Sequence, residues 1–250
     1  MKKIKIVNNL HILPRVAVGL VANTLRNPKG FRYGVIREGW NLLKKQAAKT
    51  VENIHVNRIA GIEKIEVSLT VNSYDRAILC AISRLLQPKT FFEIGTYLGE
   101  TTLAVARNNP GTQVYTLDLP SPEERKAAAL EMTDEYLFER WERGSAFKGT
   151  PESARIQVLT GDSATFDFSP YAGKIDMAFI DASHSYSYVK ADTEAALGML
   201  SPNGVILWHD YPAYPGIYAY LNELGATQDR KIYHITNTGL AFFSRRNLLS

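Results

Sequence analysis

Cysteine is almost missing from this 250-residue chain, in which Cys80 stands alone. A single cysteine excludes an internal disulfide, and no cysteine–histidine cluster of zinc-site spacing exists. Within Ala77-Ile78-Leu79-Cys80-Ala81-Ile82 it reads as a small buried residue on a helix, with a reactive thiol as the other reading. Long apolar runs are also lacking. The run from Val16 to Ala22 is far too short to cross a bilayer. Lys2, Lys3 and Lys5 begin as a signal peptide would, but Asn8, Asn9, His11 and Arg15 break up the apolar region after them. A cytoplasmic chain is expected. No internal repeat or low-complexity tract is visible.

What is present is ordinary in amount and uneven in placement. Hydrophobic residues make up 45% and charged residues 22%, which suits one sizeable globular domain plus an appendage. The net charge of +4 divides into +11 over residues 1–90 and −7 over the rest. The basic end is thus a feature of its own. Residues 1–66 form the expected amino-terminal extension, with a helix from Val35 to about Thr50 whose Ile36, Trp40, Leu43 and Ala47 recur at helical spacing.

Residues 67–250 read as the main domain. Ser73 caps a helix carrying Ile78, Leu79, Ile82 and Leu85 on one face. Apolar runs then alternate with helical stretches: Phe91–Ile94, Val114–Leu117, Ile156–Leu159, Met177–Ile180 and Val205–Trp208. Such alternation predicts a doubly wound α/β fold with a mostly parallel sheet. Ile232–Ile235 and Leu240–Ser244 are joined by Thr236-Asn237-Thr238-Gly239, a short link that makes them antiparallel neighbours. The stretch from 119 to 154 exceeds the needs of one crossover helix. Its Glu123–Trp141 segment reads as a charged amphipathic helix, either a lid over a site or a solvated surface helix.

The densest signal is Phe91-Phe92-Glu93-Ile94-Gly95-Thr96-Tyr97-Leu98-Gly99-Glu100-Thr101-Thr102, a strand, a glycine turn and a helix start without a break. Glycine lets backbone approach a ligand closely, and helix-start amides favour electron-rich groups. The spacing is Glu-x-Gly-x-x-x-Gly, not the Gly-x-Gly-x-x-Gly of dinucleotide binders, which argues against a nicotinamide dehydrogenase. Val114-Tyr115-Thr116-Leu117-Asp118 closes a second apolar run on an acid able to accept both hydroxyls of a ribose. Together these motifs resemble the cofactor site of class I S-adenosylmethionine-dependent methyltransferases. The resemblance covers about residues 70 to 245 and implies a seven-stranded sheet whose last strand is antiparallel. It places the methionine part at Glu93, Gly95, Thr96 and Gly99, the ribose at Asp118, and the adenine at Asp162 and Ser163 of Gly161-Asp162-Ser163, with Asp181 also lining the site.

Two further motifs bear on chemistry. Asp181-Ala182-Ser183-His184-Ser185-Tyr186 follows one strand and Trp208-His209-Asp210-Tyr211 ends the next. Neighbouring strand ends can bring these side chains around one pocket, where carboxylates and an imidazole suit magnesium or manganese. They resemble the branch that includes metal-dependent sugar and catechol O-methyltransferases. The resemblance implies Asp181, His209 and Asp210 as metal ligands. Sugar-modifying members often carry a second acid where this chain has Ser183, so His184 becomes the candidate base beside Asp181. The other reading of His184 is a ring bonded to loop backbone, and of His209 a packing and capping role. Tyr211, Tyr214, Tyr218 and Tyr220 either stack against an acceptor or pack on the sheet.

The expected activity is O-methylation of a small-molecule or glycan hydroxyl. A nucleic-acid methyltransferase would use the basic end to hold phosphates, but no Asn/Asp-Pro-Pro-Tyr motif follows the fourth strand and the basic residues are spread out. As an arm, residues 1–66 would touch an anionic membrane surface or a second subunit, giving a homo-oligomer or a cofactor-binding interaction protein.

Overall fold

A computed structural model describes residues 44, 49–68, 73–119, 128–129, 142–227 and 231–250. The expected helices at Val35–Thr50 and Glu123–Trp141 lie essentially outside the described residues, as does the bulk of the amino-terminal extension. From residue 49 onward the chain forms one compact unit, Lys49–Ser250.

Eight strands make a single sheet in the order β1-β7-β8-β6-β5-β2-β3-β4. They are β1 (Glu52–Ile54), β2 (Thr90–Ile94), β3 (Gln113–Asp118), β4 (Ile156–Thr160), β5 (Ile175–Ile180), β6 (Leu200–Trp208), β7 (Tyr233–Ile235) and β8 (Ala241–Ser244). Only β8 runs against its neighbours, β6 and β7. Seven strands were expected, and the eighth is β1, which pairs parallel to β7 with Glu52 opposite Tyr233. Three residues at a sheet edge, none of them buried, carry no readable alternation. Residues 49–66, expected in the extension, therefore supply part of this unit. Asn222 ties them down, its Oδ1 accepting from Thr50 N at 2.8 Å.

The central strands read as unbroken apolar runs because helices cover both faces. Phe91, Phe92, Met177, Val205, Ile206 and Leu207 are all fully buried. In β6 the pairing to β5 shifts between Leu200 and Val205, so Ser201-Pro202-Asn203-Gly204 bulges out as the turn that its composition suggests.

Among the described residues four α-helices connect the strands: α1 (Tyr74–Leu86), α2 (Glu100–Asn108), α3 (Tyr186–Met199) and α4 (Pro215–Gly225). Ser73 caps α1, its side chain accepting from Arg76 N, and Ser185 caps α3 by accepting from Tyr188 N. Helix α1 ends where Gln87 turns left-handed ahead of Pro88. From β2 the chain passes through α2 to β3 on one side, whereas β5 lies on the other. The switch between β2 and β5 opens a crevice at their carboxyl ends, where ligands of open α/β sheets bind. Among the described residues no helix is long and apolar enough to cross a membrane.

Candidate active site

The glycine turn after β2 is shaped first by what lies beneath it. Glu93 points into the interior and is 1% exposed. Its Oε2 accepts from Thr116 Oγ1 at 2.6 Å and from Thr102 Oγ1. Thr96 Oγ1 joins the network 2.7 Å from Thr116 Oγ1. Burial drives the Glu93 carboxyl up to about 8; the two threonine hydroxyls oppose that rise, and Asp181 and Asp118 add to it. Glu93 and Thr96 therefore hold the turn from below and do not face a ligand.

Gly95 has φ 104, and a Cβ there would stand 2.1 Å from the Asp181 carbonyl oxygen. Only glycine lets β2 and β5 end this close together. Gly99 differs. A Cβ on it would stand 2.4 Å from the ring of Phe147, which belongs to the insertion. The space left open at Gly99 is thus filled by protein. Ala146 N donates to Leu98 O at 2.9 Å, and Gly144 N donates to Tyr97 O at 2.9 Å, so this end of the insertion is seated on the turn.

Beside the turn opens a cleft of about 550 Å³, lined among others by Gly95, Asp118, Asp162, Ser163, Asp181 and Tyr188. Five of the expected cofactor residues thus meet here; Glu93, Thr96 and Gly99 do not line it. Two backbone amides aim the Asp118 carboxylate, Tyr97 N donating to Oδ2 at 2.9 Å and Leu119 N to Oδ1 at 2.8 Å. Tyr188 OH donates to Asp162 at 3.0 Å, and Ala129 N reaches the same carboxylate at 2.7 Å. That second bond brings the insertion to Asp162.

Asp181 also lines a smaller pocket of about 290 Å³ with Ser73, Asp75, Arg76, Thr101 and His209. Here four ionisable side chains converge. His209 Nδ1 lies 3.2 Å from Asp181 Oδ1 and 3.5 Å from Asp210 Oδ2, while Nε2 lies 3.2 Å from Asp75 Oδ2. Burial works against its charge, yet Asp181 and Asp210 outweigh burial and raise its pKa to about 11. An imidazolium held among three carboxylates results. Burial likewise opposes the charge on Asp210, but the two imidazoles keep its carboxyl well below the usual range.

His184 Nε2 sits 2.9 Å from Asp210 Oδ2, and its ring stacks on Tyr214 with centroids 3.9 Å apart. The ring is 9% exposed, and its Nδ1 is buried. Among the described residues, the acid–imidazole set whose ligand atoms all lie within 4.8 Å of one another is Asp181, His184 and Asp210. The metal set expected from sequence was Asp181, His209 and Asp210. The geometric set has His184 where the expected one has His209, whose two ring nitrogens lie against carboxylates. By reach and donor type the three residues fit an oxygen-preferring divalent ion, with His209 holding two of the ligands from outside.

Sequence reasoning missed Asp75 as a site residue. It was legible only as part of a helix start, and no local spacing links it to His209, 134 positions away. Three of the four tyrosines after β6 pack inward, Tyr211, Tyr218 and Tyr220 being 5% exposed each. Tyr214, against His184, is the one placed at the site.

The family model described as a methyltransferase domain matches residues 92–211, opening in β2 and closing just past Asp210. No curated protein matches the chain. Among solved structures, cofactor-bound Rv0187 from MTB aligns with a TM-score of 0.53 at 19% identity, covering 76% of this chain and 88% of that one. A candidate caffeoyl-CoA O-methyltransferase from Staphylococcus aureus aligns at 0.50 and 16% identity, covering 74% and 91%. The O-methyltransferase TomG from Streptomyces achromogenes, in complex with S-adenosylmethionine, gives 0.49 at 17% identity, covering 73% and 82%. At these identities the likeness is one of fold.

Proposed function

We propose that this chain, whose residues 92–211 match a methyltransferase-domain model, is a class I S-adenosylmethionine-dependent enzyme that methylates a hydroxyl oxygen of a small molecule or glycan. The observation that carries this reading is the polar cluster of Asp181, His184, His209 and Asp210 standing against the cleft and sharing Asp181 with it.

The cleft suits the cofactor in its donors and acceptors. Asp162 and Ser163 face the adenine side, and Asp118, aimed by two amides, faces the ribose hydroxyls. Past Gly95, Asp181 would accept from the methionine ammonium, and Arg76 and Thr101 in the adjoining pocket would answer its carboxylate. Arg76 is preset for that task, its Nε donating to Thr101 Oγ1 at 3.2 Å and its Nη2 lying 3.0 Å from Glu100. The sulfonium, when bound, supplies an electrophilic methyl group, leaving the protein to align an acceptor oxygen and take its proton.

Asp181 is the better proton acceptor of the two expected catalytic residues. It lines the cleft and the smaller pocket beside it, whereas His184 is turned inward onto Asp210. His184 then acts as a positioning residue that fixes Asp210. Three carboxylates around one imidazolium leave the cluster net negative, which favours a cationic cofactor beside it. A divalent ion held by Asp181, His184 and Asp210 would lower the acceptor hydroxyl's pKa.

The test is methyl-labelled S-adenosylmethionine with a panel of sugars and catechol-type diols, with and without chelator and added magnesium or manganese. Label is expected in a hydroxyl-bearing small molecule. Any stimulation by metal should vanish in Asp210→Ala; stimulation that persists would remove Asp210 from the ligand set. Transfer only to nucleic acid would overturn the reading.

A further inference from the structure

Asp192 lies on α3, one turn after the Tyr188 whose hydroxyl binds Asp162, and it is completely buried. Neither of its carboxylate oxygens has a hydrogen-bond partner. Leaving a buried carboxyl orphaned is costly, and such groups in native proteins call for an explanation. Nothing among the described residues supplies one. The adjacent Thr193 already serves α3, its Oγ1 donating to Val189 O at 2.6 Å and accepting from Trp208 Nε1 at 2.9 Å.

The groups facing Asp192 are Ser163 and Asp162, both of which line the cleft on the adenine side. The Ser163 hydroxyl stands beside the carboxyl. Burial pushes the Asp192 carboxyl up to about 7, the Ser163 hydroxyl opposes that rise, and the Asp162 charge adds to it. At neutral pH and below the group holds a proton, which makes it a donor as well as an acceptor.

We propose that Asp192 is a positioning residue for the cofactor, a buried carboxylic acid that donates to the Ser163 hydroxyl and so sets the cleft wall against which the adenine lies. The inference rests on the reading of the cleft as the S-adenosylmethionine site. Ionised, Asp192 loses its donor and places a second negative charge behind Asp162, pulling the wall out of register. Cofactor affinity should therefore fall as the pH rises.

Calorimetric titration of the full chain with S-adenosylmethionine, at pH 6.0, 7.0 and 8.5, tests this. Wild-type protein is expected to bind about ten-fold more weakly at pH 8.5 than at pH 6.0. Asp192→Asn keeps shape and donor but cannot ionise, so its affinity should match wild type at pH 6.0 and stay nearly flat. Ser163→Ala, which leaves the helix untouched, should already bind at pH 6.0 as weakly as wild type does at 8.5. Glu93 also titrates in this range but is intact in every variant, so the difference between curves belongs to Asp192. The proposal is overturned if Asp192→Asn retains the wild-type pH dependence, or if Ser163→Ala binds like wild type at pH 6.0. A wild-type chain that binds no S-adenosylmethionine at any pH would instead overturn the reading of the cleft, and this assignment with it.

Discussion

Asp181→Asn is expected to lower the rate of methyl transfer at saturating cofactor by about 10²–10⁴-fold, the range typical of losing a positioned acid or base. Asparagine matches the shape of the side chain and leaves the backbone of residue 181, against which Gly95 is packed, unchanged. What disappears is the charge. His209 keeps Asp75 and Asp210 as anionic partners, so the cluster should persist while its most exposed proton acceptor is gone. Cofactor affinity should weaken far less than the rate, because the ribose and adenine acids are untouched. Single-turnover transfer, measured beside the dissociation constant, separates the two. A rate within five-fold of wild type would mean that another group takes the proton.

The second large effect concerns stability. Glu93 has a folded-state pKa of about 8 against an ordinary 4.5. The native protein thus keeps a proton that the unfolded chain has already released. Unfolding between about pH 4.5 and 8 then releases that proton, so the Glu93 contribution to stability should fall as pH rises through this window and level off above it. At about 1.4 kcal/mol per pH unit, the loss approaches about 4–5 kcal/mol. Asp192, raised to about 7, contributes with the same sign over a lower window. Glu93→Gln should match wild type near pH 5 and exceed it by a few kcal/mol near pH 8. Urea unfolding at pH 5, 6.5 and 8 reads this directly. Parallel curves for the two proteins would show that Glu93 is ionised in its buried site.

Legibility followed the range of the interactions. Glu93, Gly95, Asp118, Asp162 and Asp181 all close or follow apolar strands, so a single pass along the chain finds them, and their meeting follows from parallel topology. Gly99 was legible as a turn residue but not as the seat of Phe147, because that contact depends on how the insertion folds back. The strand at Glu52–Ile54 was not legible at all: three residues at an edge bury too little to leave a pattern. The roles of the two histidines depend on side-chain direction. Both follow strand ends, and only the geometry shows one bridging three carboxylates and the other stacked inward on Tyr214. Asp75 lay beyond any local signal because its partner His209 is 134 positions away in sequence.

The proposed activity depends above all on the cleft between β2 and β5 holding S-adenosylmethionine through Asp118. Calorimetric titration of the full chain with S-adenosylmethionine and with NAD, beside an Asp118→Ala variant, tests it most directly. Two hydrogen bonds to a charged acceptor are worth about 1.5–3 kcal/mol each. The expected result is binding of S-adenosylmethionine, none of NAD, and a variant weakened by about 10²–10⁴-fold. Binding that Asp118→Ala leaves unchanged, or a preference for NAD, would contradict it.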